Sequence, residues 1–217
     1  MHVFCDFDGT ITIGDATDHV LSNLADPQWL EIEEQWKAGH IGSGACMRAQ
    51  VGLIRASRDE LDAVLDNVAV DPGFVAFRLF CRSRGIPMSV VSDGVDYFVH
   101  RILAREGVDD MPVLANRLGF TEQGFELTSP YSLASCQSNA GTCKCSLVKT
   151  QSGPSIFVGD GRSDFCVSSK PDYVFAKGRL ADFCTERGID FMRYNSFHDI
   201  TARLEAILSE ENLMAVA

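Results

Sequence analysis

With 217 residues, 46% apolar and 23% charged, the chain has the composition of an ordinary globular protein and can bury a real core. Asp plus Glu number 30 against 19 Lys plus Arg, and the net charge of -11 repels nucleic-acid backbones and anionic lipid surfaces. No run approaches the ~20 apolar residues of a membrane span, so one or two soluble folding units are expected. The N-terminus enters the strand-like Val3-Phe4-Cys5-Asp6-Phe7 directly, without a basic-then-apolar leader, and a cytoplasmic protein is expected. Most of the eight cysteines stand singly in apolar patterns (Cys5, Cys46, Cys81, Cys166, Cys184), which reads as buried reduced thiols rather than a disulfide framework.

Residues 15–70 are helical in pattern throughout. Asp15, Thr17 and Asp18 offer N-terminal caps to a helix carrying Ala16, Val20, Leu21 and Leu24, which Asp26-Pro27 breaks. A second helix spaces Trp29, Ile32 and Trp36 up to Gly39, the tryptophans reading as packing residues, and a third runs from about Ser43 to Ala56. Ser57-Arg58-Asp59-Glu60 is a capping box that opens a fourth, with Leu61, Val64, Leu65 and Val68 inward. Asp71-Pro72-Gly73 then starts a helix with Phe74, Phe77 and Phe80 on one face, ending at Gly85. A buried strand from Pro87 to Val91 leads into Ser92-Asp93-Gly94, a further helix ends near Gly107, and an extended, turn-rich stretch covers Val113 to Thr128. Strands at Ser155–Val158, Tyr173–Phe175 and Phe191–Arg193 alternate with helices, the pattern of an α/β protein with a parallel sheet covered on both faces. This contrast predicts a core made of residues 1–14 and 71–217 with a helical domain, 15–70, inserted in it.

Parallel α/β sheets bind ligands beyond the carboxyl ends of their strands. Three such ends carry polar residues: Asp6-Phe7-Asp8-Gly9-Thr10, Ser92-Asp93-Gly94 and Gly159-Asp160-Gly161-Arg162-Ser163-Asp164. Asp6 and Asp8, two apart, project toward one mouth while Phe7 turns into packing. Convergence with Asp160 and Asp164 would crowd four carboxylates together, which implies a hard divalent cation, Mg²⁺ being the natural choice at a phosphate site. Asp160 reads as a direct ligand and Asp164 as a water-mediated ligand or a brace. Phosphoryl transfer needs a nucleophile, a proton donor and fixed positive charge; Asp6, Asp8 and Lys144 can supply them in that order, with Ser92 or nearby N–H groups holding phosphate oxygens.

These residues resemble the four ordered motifs of the haloacid dehalogenase superfamily phosphatases. A helical insertion directly after the first motif corresponds to the C1-capped group, subfamily IB. Similarity to its MtnX-like branch, which acts on 2-hydroxy-3-keto-5-methylthiopentenyl-1-phosphate, runs nearly the whole chain. It includes Asp6-Phe7-Asp8-Gly9-Thr10-Ile11-Thr12, Ser92-Asp93-Gly94-x-Asp96-Tyr97-Phe98, Cys143-Lys144-Cys145 and Phe175-Ala176-Lys177-Gly178. The resemblance implies a Rossmann-like core with an inserted helical-bundle cap, Mg²⁺ as cofactor, and hydrolysis of a small phosphomonoester through an aspartyl phosphate. It implies Asp6 as nucleophile, Asp8 as acid/base and as a metal ligand through its backbone carbonyl, and Ser92 and Lys144 as phosphate binders. The expected phosphate set is Thr10, Ser92, Asp93, Gly94 and Lys144; the expected metal set is Asp6, Asp8, Asp160 and Asp164.

Phosphoserine phosphatases, the alternative within this group, use a cap acid for the substrate ammonium and a cap arginine for its carboxylate. Asp15 and Arg48 fall near those places, although each also reads as a helix cap or a solvated helix residue. Cys136, Cys143 and Cys145 lack a C-x-x-C pair and a nearby His, so free or redox-labile thiols are expected there rather than structural zinc. No zinc-protease, serine-hydrolase, dinucleotide or Walker motif is present. A phosphotransferase, or a non-catalytic phospho-ligand binder on the same fold, stays open, as does the choice between monomer and homodimer.

Overall fold

The computed structural model describes residues 1–122, 124–148 and 153–216, with side chains up to Ser209. Among the described residues, seven strands form one sheet: β1 (His2–Cys5), β2 (Met88–Val95), β3 (Val113–Thr121), β4 (Gly124–Thr128), β5 (Ser155–Gly159), β6 (Tyr173–Ala176) and β7 (Met192–Arg193). Their order is β4-β3-β2-β1-β5-β6-β7, parallel except for the β3–β4 hairpin at one edge. Both faces are covered, and the strands read accordingly as nearly unbroken apolar runs. Along β1, Val3 and Cys5 enter one core while Phe4 enters the other; Ile156 and Val158 against Phe157 repeat this alternation in β5. The class is therefore the α/β, Rossmann-like parallel sheet expected from the strand–helix alternation.

Four helices, α1 (Ala16–Leu24), α2 (Trp29–Lys37), α3 (Ser43–Val51) and α4 (Arg58–Leu65), separate β1 from α5 (Phe74–Ser83). The chain leaves and returns side by side, Thr12 bridging to Val70. Asp15 caps α1, accepting from Asp18 N at 2.9 Å, and the Ser57–Glu60 capping box opens α4. The third helix is shorter than its pattern predicts: it stops at Val51, the chain turns at Gly52, and Ile54 is drawn into a bridge with Ala25. Helices α6 (Asp96–Arg105), α7 (Lys144–Val148), α8 (Gly178–Arg187) and α9 (Phe197–Val216) complete the layers. Phe74 and Phe77 pack against Phe197 at ring separations of 5.1 and 5.2 Å, joining α5 to α9. Each such ring contributes roughly 1.5–3 kcal/mol of burial.

α6 also holds the inserted helices. Arg105 donates to the carbonyls of Asp66 (2.6 Å) and Val68, closing the carboxyl end of α4, and Arg101 pairs with Asp66 at 2.7 Å. Tyr97 Oη donates to Asp62 at 2.6 Å. β2 runs on to Val95 rather than ending at Val91, and its register against β3 shifts inside Ser92-Asp93-Gly94.

Candidate active site

Because β1 lies between β2 and β5, the residues at their carboxyl ends face one cavity of ≈ 170 Å³. Asp6, Asp8, Ser92, Asp93, Gly94 and Asp160 line it from the sheet side; Asp15, Thr17, Glu33, Trp36, Met47 and Gln50 line it from the inserted helices.

Asp6 is 4% exposed, and its Oδ1 accepts from Phe7 N at 2.8 Å and pairs with Lys144 Nζ at 2.7 Å. Lys144, the first residue of α7, also donates to Asp164 Oδ1 at 2.6 Å and Ser163 Oγ at 3.1 Å, so all three ammonium protons are engaged. Burial by itself would lower its pKa, but Asp164 and Asp6 overturn that and hold it above the ordinary value, keeping the lysine charged. Burial, reinforced by Asp164, pushes Asp6 well above the usual carboxylate range while Lys144 opposes. Asp160 is raised for the same two reasons, with Thr10 opposing.

Asp8 sits differently. Its Oδ1 accepts from Ala16 N at 2.8 Å and Thr17 N at 3.4 Å, the first amides of α1. Burial outweighs those bonds and lifts its pKa to about 6, a value suited to giving and taking a proton near neutrality. Among the described residues, Asp6, Asp160 and Asp164 form the group whose oxygens lie within 4.8 Å of one another, the donor chemistry of a hard divalent cation. Asp164, fully buried, has both oxygens engaged, Oδ1 by Lys144 and Oδ2 by the amides of Asp160 (3.0 Å) and Gly161 (3.1 Å). It therefore braces the loop, and Asp6 and Asp160 are the members of that group lining the cavity. The Asp8 carboxylate, held at α1, stands outside the group. Gly9, at φ +69°, lets the loop pass Asp160: a Cβ there would lie 2.5 Å from its Oδ2.

Several expectations need correction. Thr10 is wholly buried and donates to Asp160 Oδ1 at 2.7 Å, so it orients that carboxylate instead of reaching a phosphate. Ser92 lines the cavity with Oγ accepting from Gly94 N at 2.9 Å. Asp93 also lines it, but its Oδ1 is held as an acceptor by Thr142 N at 2.8 Å. Asp15 reaches the rim; Arg48 does not, being exposed with its guanidinium on Ser129 Oγ at 3.3 Å. Trp36 is not a packing residue: α2 contains no fully buried residue, and the indole forms cavity wall. Arg162 stacks over it at 5.5 Å and donates to Lys37 O at 3.1 Å, bringing to the rim a cation to which its place in the sequence assigns no role. Glu33, which accepts from Gln50 at 3.0 Å, was missed as well, since its helix spacing reads simply as a solvated face. All eight cysteines are free, and Cys143 and Cys145, flanking Lys144, bring their sulfurs to 3.5 Å.

A sheet with these carboxylates at its central strand ends defines a hydrolase class, and residues 3–169 match the haloacid dehalogenase-like hydrolase family. The chain belongs to that family. It is 29% identical over 216 residues to a 2-hydroxy-3-keto-5-methylthiopentenyl-1-phosphate phosphatase of Brevibacillus brevis, covering 96% of each chain. A Bacillus velezensis protein of the same description is 30% identical, with 94% of this chain and 90% of that one covered. In fold, the chain is similar to a phosphoserine phosphatase solved as a phospho-aspartyl intermediate analogue, at TM-score 0.67 and 18% identity, covering 93% of this chain and 97% of that one. A Salmonella enterica haloacid dehalogenase family hydrolase superposes at TM-score 0.69 with 19% identity, covering 90% and 67% respectively. No helix among the described residues is long and apolar enough to cross a membrane.

Proposed function

We propose that this hydrolase is a Mg²⁺-dependent phosphomonoesterase working through an aspartyl phosphate on Asp6, with residues 15–70 acting as a cap over the site. The observation that carries this reading is the buried Asp6–Lys144 pair at 2.7 Å beside Asp160, at the head of the central strand. The Asp6 carboxylate attacks phosphorus and the ester oxygen departs with a proton from Asp8. Asp8 then takes a proton from the water that attacks the phosphoryl group, which releases inorganic phosphate and restores Asp6. Lys144 opposes the effect of burial on the Asp6 carboxylate and offsets charge gathering on the transferring group. Asp6, Asp160 and the Asp8 carbonyl would hold Mg²⁺, which supplies Lewis-acid charge at the phosphoryl oxygens.

For the substrate, the named relatives favour 2-hydroxy-3-keto-5-methylthiopentenyl-1-phosphate. The wall supports the same choice. Trp36 and Met47 suit an apolar methylthio tail, while Asp15, Asp18 and Glu33 would repel a second anionic group. Phosphoserine carries such a carboxylate, and Arg48 does not reach the cavity to receive it. Phosphate release from this substrate and a panel of phosphomonoesters, with Mg²⁺ and with chelator, tests the proposal in wild type and Asp6→Asn. Metal-dependent release abolished by Asp6→Asn is expected; equal release by the variant would refute it. Added acceptor alcohols that lower phosphate yield at constant substrate loss would instead mark a phosphotransferase.

A further inference from the structure

The β2–β3 ladder contains an irregularity placed at the site. Val91 pairs with Leu114, but the next pairing is Val95 with Asn116, so β2 spends four residues where β3 spends two. Ser92, Asp93 and Gly94 thus stand opposite Ala115 alone, and this two-residue excess bulges into the cavity. A bulge of this kind leaves backbone carbonyls without ladder partners, and in a buried strand they need substitutes. Asn116 supplies them. Fully buried on β3, it donates through Nδ2 to Asp93 O at 2.6 Å and to Gly94 O at 3.1 Å. Its other end is fixed too: Oδ1 accepts from Ser129 Oγ at 2.7 Å, and Arg48 Nη1 donates to that same hydroxyl at 3.3 Å. Residue 141 must be glycine for the amide to fit, since a Cβ there would lie 2.3 Å from Asn116 Oδ1.

Resting on the phosphatase reading above, we propose that Asn116 is the positioning residue of the phosphate-binding bulge, with Ser129 and Arg48 setting the orientation of its amide. It touches no reacting atom; it fixes where Ser92 Oγ and the bulge amides stand. Arg48, expected at the substrate, acts instead from α3 through Ser129. Aspartate at 116 has the right shape but the wrong protons, because an ionised carboxylate presents acceptors to two carbonyls. Once protonated it donates again.

The test is the affinity of inorganic phosphate for the Mg²⁺-loaded protein, measured as competitive inhibition and by calorimetry. Asn116→Leu is expected to weaken phosphate at least tenfold while Mg²⁺ affinity changes less than twofold. Asn116→Asp should show a comparable loss at neutral pH that shrinks, relative to wild type at each pH, as the solution is acidified, whereas Asn116→Leu stays flat. Ser129→Ala, a small change outside the cavity that keeps the fold even if the leucine variant does not, should weaken phosphate about threefold, and Arg48→Ala should act in the same direction. Unchanged phosphate affinity in Ser129→Ala and in the folded Asn116 variants overturns the proposal, as does an Asn116→Asp defect that ignores pH. Failure of the wild-type protein to bind phosphate at all removes the phosphatase reading beneath it.

Discussion

Lys144→Met removes the ammonium that stands between Asp6 and Asp164 at 2.7 and 2.6 Å while keeping most of the side-chain volume. At an effective dielectric constant of ~20 each contact represents about 6 kcal/mol of attraction, offset by the cost of burying the lysine. Loss of one partner from a buried pair typically costs about 3–5 kcal/mol, because a charge is left uncompensated. Protonation sets the ceiling. Placing a proton on a carboxylate of ordinary pKa ~3.9 costs about 5 kcal/mol at pH ~7.5 and about 1.5 kcal/mol at pH ~5. The variant's folded state therefore carries an acid whose pKa is raised, so its stability is greatest at low pH and is lost as pH rises through the folded value. For a chain of this size, 1 kcal/mol moves Tm by about 2–4 °C. Calorimetry in chelator should show Tm lowered by about 8–16 °C at pH ~7.5 and by about 3–6 °C at pH ~5. Equal losses at the two pH values would mean that packing, not the charge pair, is what the lysine supplies.

Asp160→Asn keeps the Thr10 bond but removes one crowded charge; it should raise Tm in chelator by about 2–4 °C and weaken the Mg²⁺ stabilisation seen in wild type. Stabilisation of the wild type by Mg²⁺ should itself grow between pH ~5 and ~7.5, because Asp6, Asp8 and Asp160 all have raised pKa values and their repulsion appears only as they ionise; a pH-independent Mg²⁺ effect would contradict this. With Asp8 at about 6 as proton donor, turnover of an alkyl phosphate should fall above that pH while turnover of p-nitrophenyl phosphate, whose leaving group needs no proton, should not. Trp36→Ala should raise KM for a methylthio-bearing substrate about tenfold and leave phosphate affinity unchanged, as read by steady-state kinetics.

How legible these features were in the sequence depended on what each residue answers to. The central strands could be read because burial on both faces makes them apolar runs ending in polar residues, and Asp6, Asp8 and Asp160 stand at those ends. Thr10 and Arg48 could not be placed, since a hydroxyl beside a carboxylate, or an arginine on a helix, has the same pattern whether it faces a ligand or a neighbouring side chain. Trp36 misled for a related reason: helical spacing shows which face a residue occupies, not whether that face meets a core or a cavity. Asn116 gave no local signal, because its partners are carbonyls freed by a register shift between two strands, a property of the pair.

The site has the character of a structure held against its own electrostatics. Asp164, wholly buried, accepts the Asp160 and Gly161 amides and also Lys144, tying the loop after β5 to the ammonium that neutralises Asp6. Thr10 ties the loop after β1 to Asp160 at 2.7 Å, and Asn116 ties β3 to the bulge of β2. Each tie crosses from one strand end to the next, so the carboxylates are fixed close together before any cation arrives. Mutual repulsion that would open such a group is opposed by a network in which Thr10, Asp164, Lys144 and Asn116 are withdrawn from solvent. A cation entering this group meets ligands already in place, and the folding energy spent on holding them reappears as affinity for positive charge.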